Sequence, residues 1–461
     1  MYVKVCIVIL ALVTMLCECV SALNQNKFVG IRNKLNFVDK TLLIREILKH
    51  RIVFISAPKG FGKSTNLEMI GLFLSNRHKK SEIAIHFKET KISDEKEFVK
   101  AHLGEYPVIQ CDLLAESDFT SFESVLASFK ESLHSAFVEH RYLLKSEKIP
   151  KEMKTILKQY TNLTDILQAN STEEVVEGLD FLSEILHKHY AKPVVLLVNG
   201  FGQAVTENII QKSEDVTSIL NLYSLMIRTT FVNSSTISHV VLSGETWLYG
   251  LKGTPLTLID YAGFLQRPEF SLFYGFTHNE ADDLMRRFKV QGDQREEAYK
   301  WFGGYSSLDG KVQVFNPTSL LKFLQYKHLK KYWIGSQLGT DLIELMLHEL
   351  NFKNNFTNLV TNGSYSVKIN LEKDMRLVCL ENLKNKITQI PEHCGNFFYR
   401  VLLEAGYLTF MDNQGKDKKN VALALPNEEI RSYFNRYISK FNVVQWHNES
   451  FVNLEQILSK T

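Results

Sequence analysis

Residues 51–73 read RIVFISAPKGFGKSTNLEMIGLF. The β-branched and aromatic run Ile52-Val53-Phe54-Ile55 predicts a buried strand. A loop follows over Ser56-Ala57-Pro58-Lys59-Gly60-Phe61-Gly62, and Lys63-Ser64-Thr65 opens an apolar-periodic helix through Leu67, Ile70, Leu72 and Phe73. Strand, glycine-bearing loop, Lys-Ser and helix, in that order, make a P-loop. The chemistry needs the order. Glycines let backbone N–H groups turn toward phosphate oxygens, and the helix N-terminus adds partial positive charge. The lysine reaches the terminal phosphates and the serine hydroxyl holds Mg²⁺. Lys59, Gly60, Gly62, Lys63, Ser64 and Thr65 are therefore the candidate nucleotide-binding residues, with ATP as candidate ligand and Ser64 as candidate ligand to Mg²⁺. The general spacing G-x-x-x-x-G-K-[ST] asks for glycine at position 57, where this chain has Ala57.

A working ATPase also needs an acid at the end of a second strand, to organise Mg²⁺ and its waters, and often a neighbouring glutamate to activate the attacking water. Pro193-Val194-Val195-Leu196-Leu197-Val198 is the apolar run of a central parallel strand. It is followed by Asn199-Gly200-Phe201-Gly202. Asn199 stands where the Mg²⁺-organising acid belongs, and Gly200 where the base belongs. An amide carries no charge and glycine cannot take a proton, so turnover is expected to fall by orders of magnitude. Asp112 and Glu245 are the alternative acids; their bland readings are a helix cap and a solvated loop acid. Ser243, at the end of Ile237-Ser238-His239-Val240-Val241-Leu242-Ser243-Gly244, is placed to sense a terminal phosphate.

Strands at 106–113, 193–198 and 237–244 alternate with helical stretches at 121–145, 150–168, 179–190 and 215–229. That alternation predicts an α/β fold, a P-loop-type parallel sheet flanked by helices. Phe270 to Phe276 reads as a last strand. Thr277-His278-Asn279-Glu280 has capping-box spacing, and the chain beyond reads as mostly helical. A helix over 396–403, then Tyr407-Leu408-Thr409-Phe410, a polar loop and Val421 to Leu425, suggests a winged-helix-like end. The basic loop Asn413 to Lys419 reads as a solvated hairpin tip rather than a nucleic-acid contact. The expected division is a leader over 1–22, a P-loop domain over 23–276 and a helical region over 277–461.

The chain has 461 residues, 45% of them hydrophobic, with a net charge of +3. Its 30 Phe and 18 Tyr exclude a disordered chain, and the mild charge disfavours a nucleic-acid binder. Lys4 precedes an apolar run over 5–13, and Val20-Ser21-Ala22 offers small residues for cleavage. This is a secretory leader pattern, and no later segment is apolar and long enough for a bilayer span. Secretion would remove Cys6, Cys17 and Cys19, leaving Cys111 as a buried core thiol and Cys379 and Cys394 as a possible pair. Sequons at Asn162, Asn170, Asn233, Asn355, Asn362 and Asn448 would be open to glycosylation in a secreted chain.

These segments together resemble the AAA-ATPase-like family of P-loop proteins. The resemblance is carried by Phe37-Val38-Asp39-Lys40-Thr41-Leu42-Leu43, by Ala57 to Ser64, and by Tyr106-Pro107-Val108-Ile109. It continues in Leu242-Ser243-Gly244, Phe273-Tyr274-Gly275-Phe276-Thr277, Trp301-Phe302-Gly303-Gly304-Tyr305 and Phe315-Asn316-Pro317. It ends in Tyr332-Trp333, Gly406-Tyr407-Leu408 and Leu425-Pro426-Asn427-Glu428-Glu429. The family often reads R-P-R-R-F-G-K-S over the positions of Ala57 to Ser64, without glycine at the first of them, which makes Ala57 less unusual. Its second strand commonly ends Asp-Glu-Tyr-Asp, so Asn199 to Gly202 departs from it. Bacterial relatives often continue into a PD-(D/E)XK nuclease-like domain near where this chain stops, and no nuclease is implied here. The intact Lys63-Ser64, the uncharged Asn199 and Gly200 and the leader pattern together point to a secreted, degenerate ATPase that acts by binding a nucleotide or an unidentified protein partner. The alternatives are an active Mg²⁺-dependent ATPase using a replacement acid, and a nucleic-acid-binding module.

Overall fold

The computed structural model describes residues 26–113, 121–168, 172–210, 214–247, 256–333, 335, 343, 346, 350–362, 364–367, 392–411, 421–436 and 438. The leader pattern, Cys379, the sequons at Asn170 and Asn448 and the basic loop at 413–419 lie outside them.

Five parallel strands form the main sheet: β1 (Ile52–Ser56), β2 (Val108–Asp112), β3 (Val194–Asn199), β4 (Ile237–Gly244) and β5 (Asp260–Ala262), in the order β2-β3-β4-β1-β5. β1 and β3 are buried along their whole length. That burial is the reason their sequences are continuous apolar runs rather than alternating ones. β4 lies between β1 and β3, so the loop that follows β3 faces the P-loop across one intervening strand. The register sets a row at the carboxyl edge: Asp112 opposite Asn199, Asn199 opposite Ser243, Ser243 opposite Ile55 and Ile55 opposite Ala262. The carboxyl ends of all five strands thus meet at one edge, the place where parallel sheets take ligands.

Helix α1 (Lys63–Leu74) leaves the P-loop. α2 (Phe122–Glu139) begins at a Ser121–Ser124 capping box, and α3 (Thr172–Tyr190) delivers the chain to β3. α4 (Gln203–Ile210) and α5 (Val216–Met226) lie between β3 and β4. Cys111 is buried and free among the described residues, and burial pushes its thiol up to about 12.

The expected strand over Phe270 to Phe276 is not one. Pro268–Ser271 is a helical turn with proline at its start, and the fifth strand of the main sheet is the three-residue β5 instead. Pro268 presets a helical φ and has no N–H to donate to a ladder. The Thr277–Glu280 capping box forms and opens α6 (His278–Arg287), the Glu280 carboxylate accepting from Thr277 N–H at 2.8 Å.

The C-terminal region is mostly helical with two small antiparallel sheets. Strands Phe276–Thr277, Tyr305–Ser306 and Gln313–Phe315 form one. Thr409–Phe410, Val421–Ala424 and Ser364–Val367 form the other. Helix α7 (Pro317–Tyr326) follows the first, and α8 (Glu392–Glu404) precedes the hairpin of the second. Phe276, Phe302, Phe315 and Phe323 share a small apolar cluster. Tyr305, Trp333, Phe398, Tyr407, Leu423 and Phe434 join the main core that also holds Ile52 to Ile55.

Candidate functional site

The P-loop continues the ladder before it turns. Ala57 N–H donates to Gly244 O at 3.1 Å, and Ala57 is fully buried. Alanine is therefore accommodated there as one more residue of extended pairing. The sharp turns are made by Gly60 and Gly62, at φ +83° and +93°, a region that side-chain-bearing residues rarely enter. Gly62 is the N-cap of α1, so Lys63 and Ser64 are its first two residues.

Lys63 Nζ donates to the carbonyls of Ala57 at 2.6 Å and Pro58 at 2.9 Å. Burial draws its pKa down to about 8, against the attraction of Glu245 and with added repulsion from Lys59. A phosphate beside this ammonium would reverse that shift, because an opposite charge favours the protonated form.

The outer side of the loop is held by the C-terminal region. Trp333 Nε1 donates to Lys59 O at 2.7 Å, and Thr318 Oγ1 donates to Gly60 O at 3.0 Å. Phe61 packs edge-on against Phe264 and Tyr305, at centroid distances of 4.9 and 5.2 Å. A Cβ on Gly406 would lie 2.6 Å from Pro58 Cγ. Trp333 is in turn fixed by Glu429. That buried carboxylate accepts from Tyr332 N–H at 2.6 Å, Trp333 N–H at 2.9 Å and Ser319 Oγ at 2.7 Å. Burial raises the Glu429 pKa, and these bonds oppose the rise. The scattered C-terminal motifs thus gather on the phosphate loop. Their sequence signal was their presence, but nothing in their spacing revealed the common target.

On the facing side, Asn199 Nδ2 donates to Ser64 Oγ at 3.2 Å and to both Asp112 carboxylate oxygens at 3.3 Å. The carboxylate fixes the amide's orientation, since only its NH₂ can face an anion. Among the described residues Asn199 Oδ1 has no hydrogen-bond partner, nor has the buried Ser243 Oγ on the neighbouring strand. The N-cap of α2, the next described helix after β2, is Ser121. A carboxylate therefore does stand near Ser64, one strand away from the expected place. Gly200 has φ +76° and Gly202 φ +88°, and Phe201 N–H between them donates to Ser243 O at 2.9 Å. This turn gives position 200 no side chain and a backbone that resists acquiring one. Thr65, half-buried, continues α1 beside Ser64.

These residues fit a nucleotide. The two glycine turns, the Lys63 ammonium and the orphaned Ser243 hydroxyl surround the start of α1 as a phosphate cradle does. Ser64 and Asn199 would hold Mg²⁺ and its waters, and the ion would supply charge neutralisation for the phosphates.

Residues 25–247 match the model of a protein family described as Predicted AAA-ATPase, AAA-ATPase_like. The chain carries an AAA-ATPase-like domain. Among curated proteins no relative matches it. The matched range holds the P-loop and the first four strands of the AAA-ATPase-like sheet, and it ends shortly after Ser243 and Glu245. No described helix is long and apolar enough to cross a membrane.

Proposed function

We propose that the protein binds Mg²⁺–nucleotide at the P-loop and works through that bound state rather than through rapid hydrolysis. The observation that carries this is the pairing of an intact Lys63–Ser64 cradle with Gly200 at the position of the water-activating base. Lys63 supplies charge to the terminal phosphates, Ser64 and Asn199 orient the metal's shell, and Ser243 donates to a terminal oxygen. None of these groups removes a proton from water. Calorimetric titration of the full chain with ATP and Mg²⁺, beside Lys63→Ala and a phosphate-release assay, tests the reading. Binding with negligible release supports it. Robust release abolished by Lys63→Ala defeats it.

One observation favours a second reading, an active ATPase with a relocated acid: Asp112 lies 3.3 Å from the Asn199 amide that also reaches Ser64. In that case Asp112→Asn lowers the release rate at least 100-fold while ATP still binds. For localisation, the leader pattern over 4–22 supports secretion. Expression of the full chain in insect cells, with N-terminal sequencing of protein from the medium, tests cleavage after Ala22. Glycosidase treatment of the same material tests the sequons.

A further inference from the structure

Pro58 to Phe61 is a β-turn with one reversible peptide. Phe61 N–H donates to Pro58 O at 3.3 Å, and Gly60, the third residue of the turn, has φ +83°, a region that Lys59 does not share. These are the marks of a type II turn. A type I turn over the same residues keeps the closing hydrogen bond and turns over the central peptide, Lys59–Gly60. Glycine adopts both signs of φ about as readily, so Gly60 makes both turns accessible and selects neither.

The selection comes from outside the loop. Trp333 Nε1 donates at 2.7 Å to Lys59 O, the carbonyl of that central peptide. In a type I turn the carbonyl would leave the indole, and a buried donor would lose its acceptor. The indole is not free to follow. Trp333 is 5% exposed, its ring lies 5.2 Å from that of Tyr407, and its backbone N–H is held by Glu429.

At the other end of the same peptide is Gly60 N–H. The peptide is planar and trans, so this N–H points opposite to the carbonyl, away from Trp333 and into the loop. Among the described residues it donates to nothing. An unspent backbone donor on the inner side of a P-loop complements a phosphate oxygen. The hydrogen bond at the carbonyl end also polarises the peptide and strengthens its donor. Thr318 Oγ1 tethers the next carbonyl, Gly60 O, at 3.0 Å, but the N–H of that peptide belongs to Phe61 and is spent on Pro58 O. The two tethers are alike as supports and unlike in what they aim.

We propose that Trp333 is a positioning residue for the nucleotide: by holding Lys59 O it keeps the turn in its type II form and aims Gly60 N–H at a bound phosphate. The proposal rests on nucleotide binding at the P-loop. Linkage is reciprocal, so a phosphate on Gly60 N–H strengthens the bond from Trp333 to Lys59 by the same factor, and the C-terminal region responds to occupancy.

The test is calorimetric titration of the full chain with ATP and Mg²⁺, in wild type, Trp333→Phe and Thr318→Val. Trp333→Phe is expected to weaken binding about fivefold, the worth of one neutral hydrogen bond. Thr318→Val is expected to weaken it less, because the donor behind that tether is already spent. A second measurement needs no change at Trp333. In wild type carrying ¹⁵N-labelled tryptophan, ATP is expected to slow exchange of the Trp333 indole N–H about fivefold. Its resonance is assigned by elimination with Trp247→Phe, Trp301→Phe and Trp446→Phe. With a wild type that binds ATP, three results each overturn the proposal alone: affinity unchanged in Trp333→Phe, an equal or larger loss in Thr318→Val, or indole exchange that ATP does not slow. A wild type that binds no ATP overturns the nucleotide-binding reading and this proposal with it.

Discussion

The two sides of the carboxyl edge of the sheet have different fates. On the β1 side, Lys63 and Ser64 are in place, and the loop before them is gripped by Trp333, Thr318, Tyr305 and Phe61 contacts. On the β3 side, the strand ends in Asn199 and Gly200, neither of which carries a charge, and Asp112 on the outer strand β2 meets the Asn199 amide. The difference teaches that the phosphate cradle and the hydrolytic acids are separable. The cradle is backbone geometry supported by packing from far along the chain. The end of β3 depends instead on side chains of one turn, where Gly200 and Gly202 offer none.

The largest effect that would break this contrast lies in the support of the cradle. Glu429→Ala leaves Trp333 N–H, Tyr332 N–H and Ser319 Oγ buried without their acceptor. It is expected to cost about 3 kcal/mol, read as a fall in denaturation midpoint. Next comes Lys63→Ala, which removes a buried charged donor. ATP affinity is expected to fall about 100-fold by calorimetry, near 2.7 kcal/mol. Gly60→Ala comes third. Its Cβ would sit 2.5 Å from Thr318 Oγ1 at φ +83°, with an expected cost of about 2 kcal/mol by chemical denaturation. Unchanged stability would mean the loop is less tightly held than its contacts indicate.

Asn199→Asp probes the other side. It sets a second carboxylate against Asp112, where like charges raise the pKa of one of the pair. A folded-state pKa above its unfolded value gives stability at low pH that is lost as pH rises through it. The variant should therefore be about 1 kcal/mol less stable than wild type at neutral pH and recover on acidification. Phosphate release should rise less than tenfold, since Gly200 still provides no base. The smallest effect is in pH. Lys63 titrates near pH 8 in the free protein. Phosphate binding needs it charged, so ATP affinity should be flat below pH 7.5 and fall by no more than tenfold per unit above 8. Proton uptake on binding at pH 8.5, measured in buffers of different ionisation heat, checks the sign.

Much of the β1 side was legible in sequence because it is local. Strand, turn glycines, Lys63 and helix lie within 23 residues, and each carries its own signal. β3 and β4 were legible for the same reason, as buried apolar runs. What sequence could not convey was adjacency. Asp112 meets Asn199 only because β2 is the neighbour of β3, and strand order is not written in any one segment. Trp333 and Lys59 are 274 positions apart, so their contact has no local trace. The fifth strand was missed for a different reason. Asp260-Tyr261-Ala262 is too short to show a period, whereas Phe270 to Phe276 is apolar enough to imitate a strand but begins just after Pro268.

The grip of the C-terminal region on the loop carbonyls bears on where the molecule can be cut. The recognisable family segment ends at 247, yet β5, Phe264, Tyr305, Thr318, Trp333 and Glu429 all come later. A fragment ending there would expose Phe61 and one edge of β1 to water and leave two loop carbonyls to find other partners. The unit that folds cooperatively is longer than the unit that can be recognised, and an expression boundary drawn at the latter would divide the core.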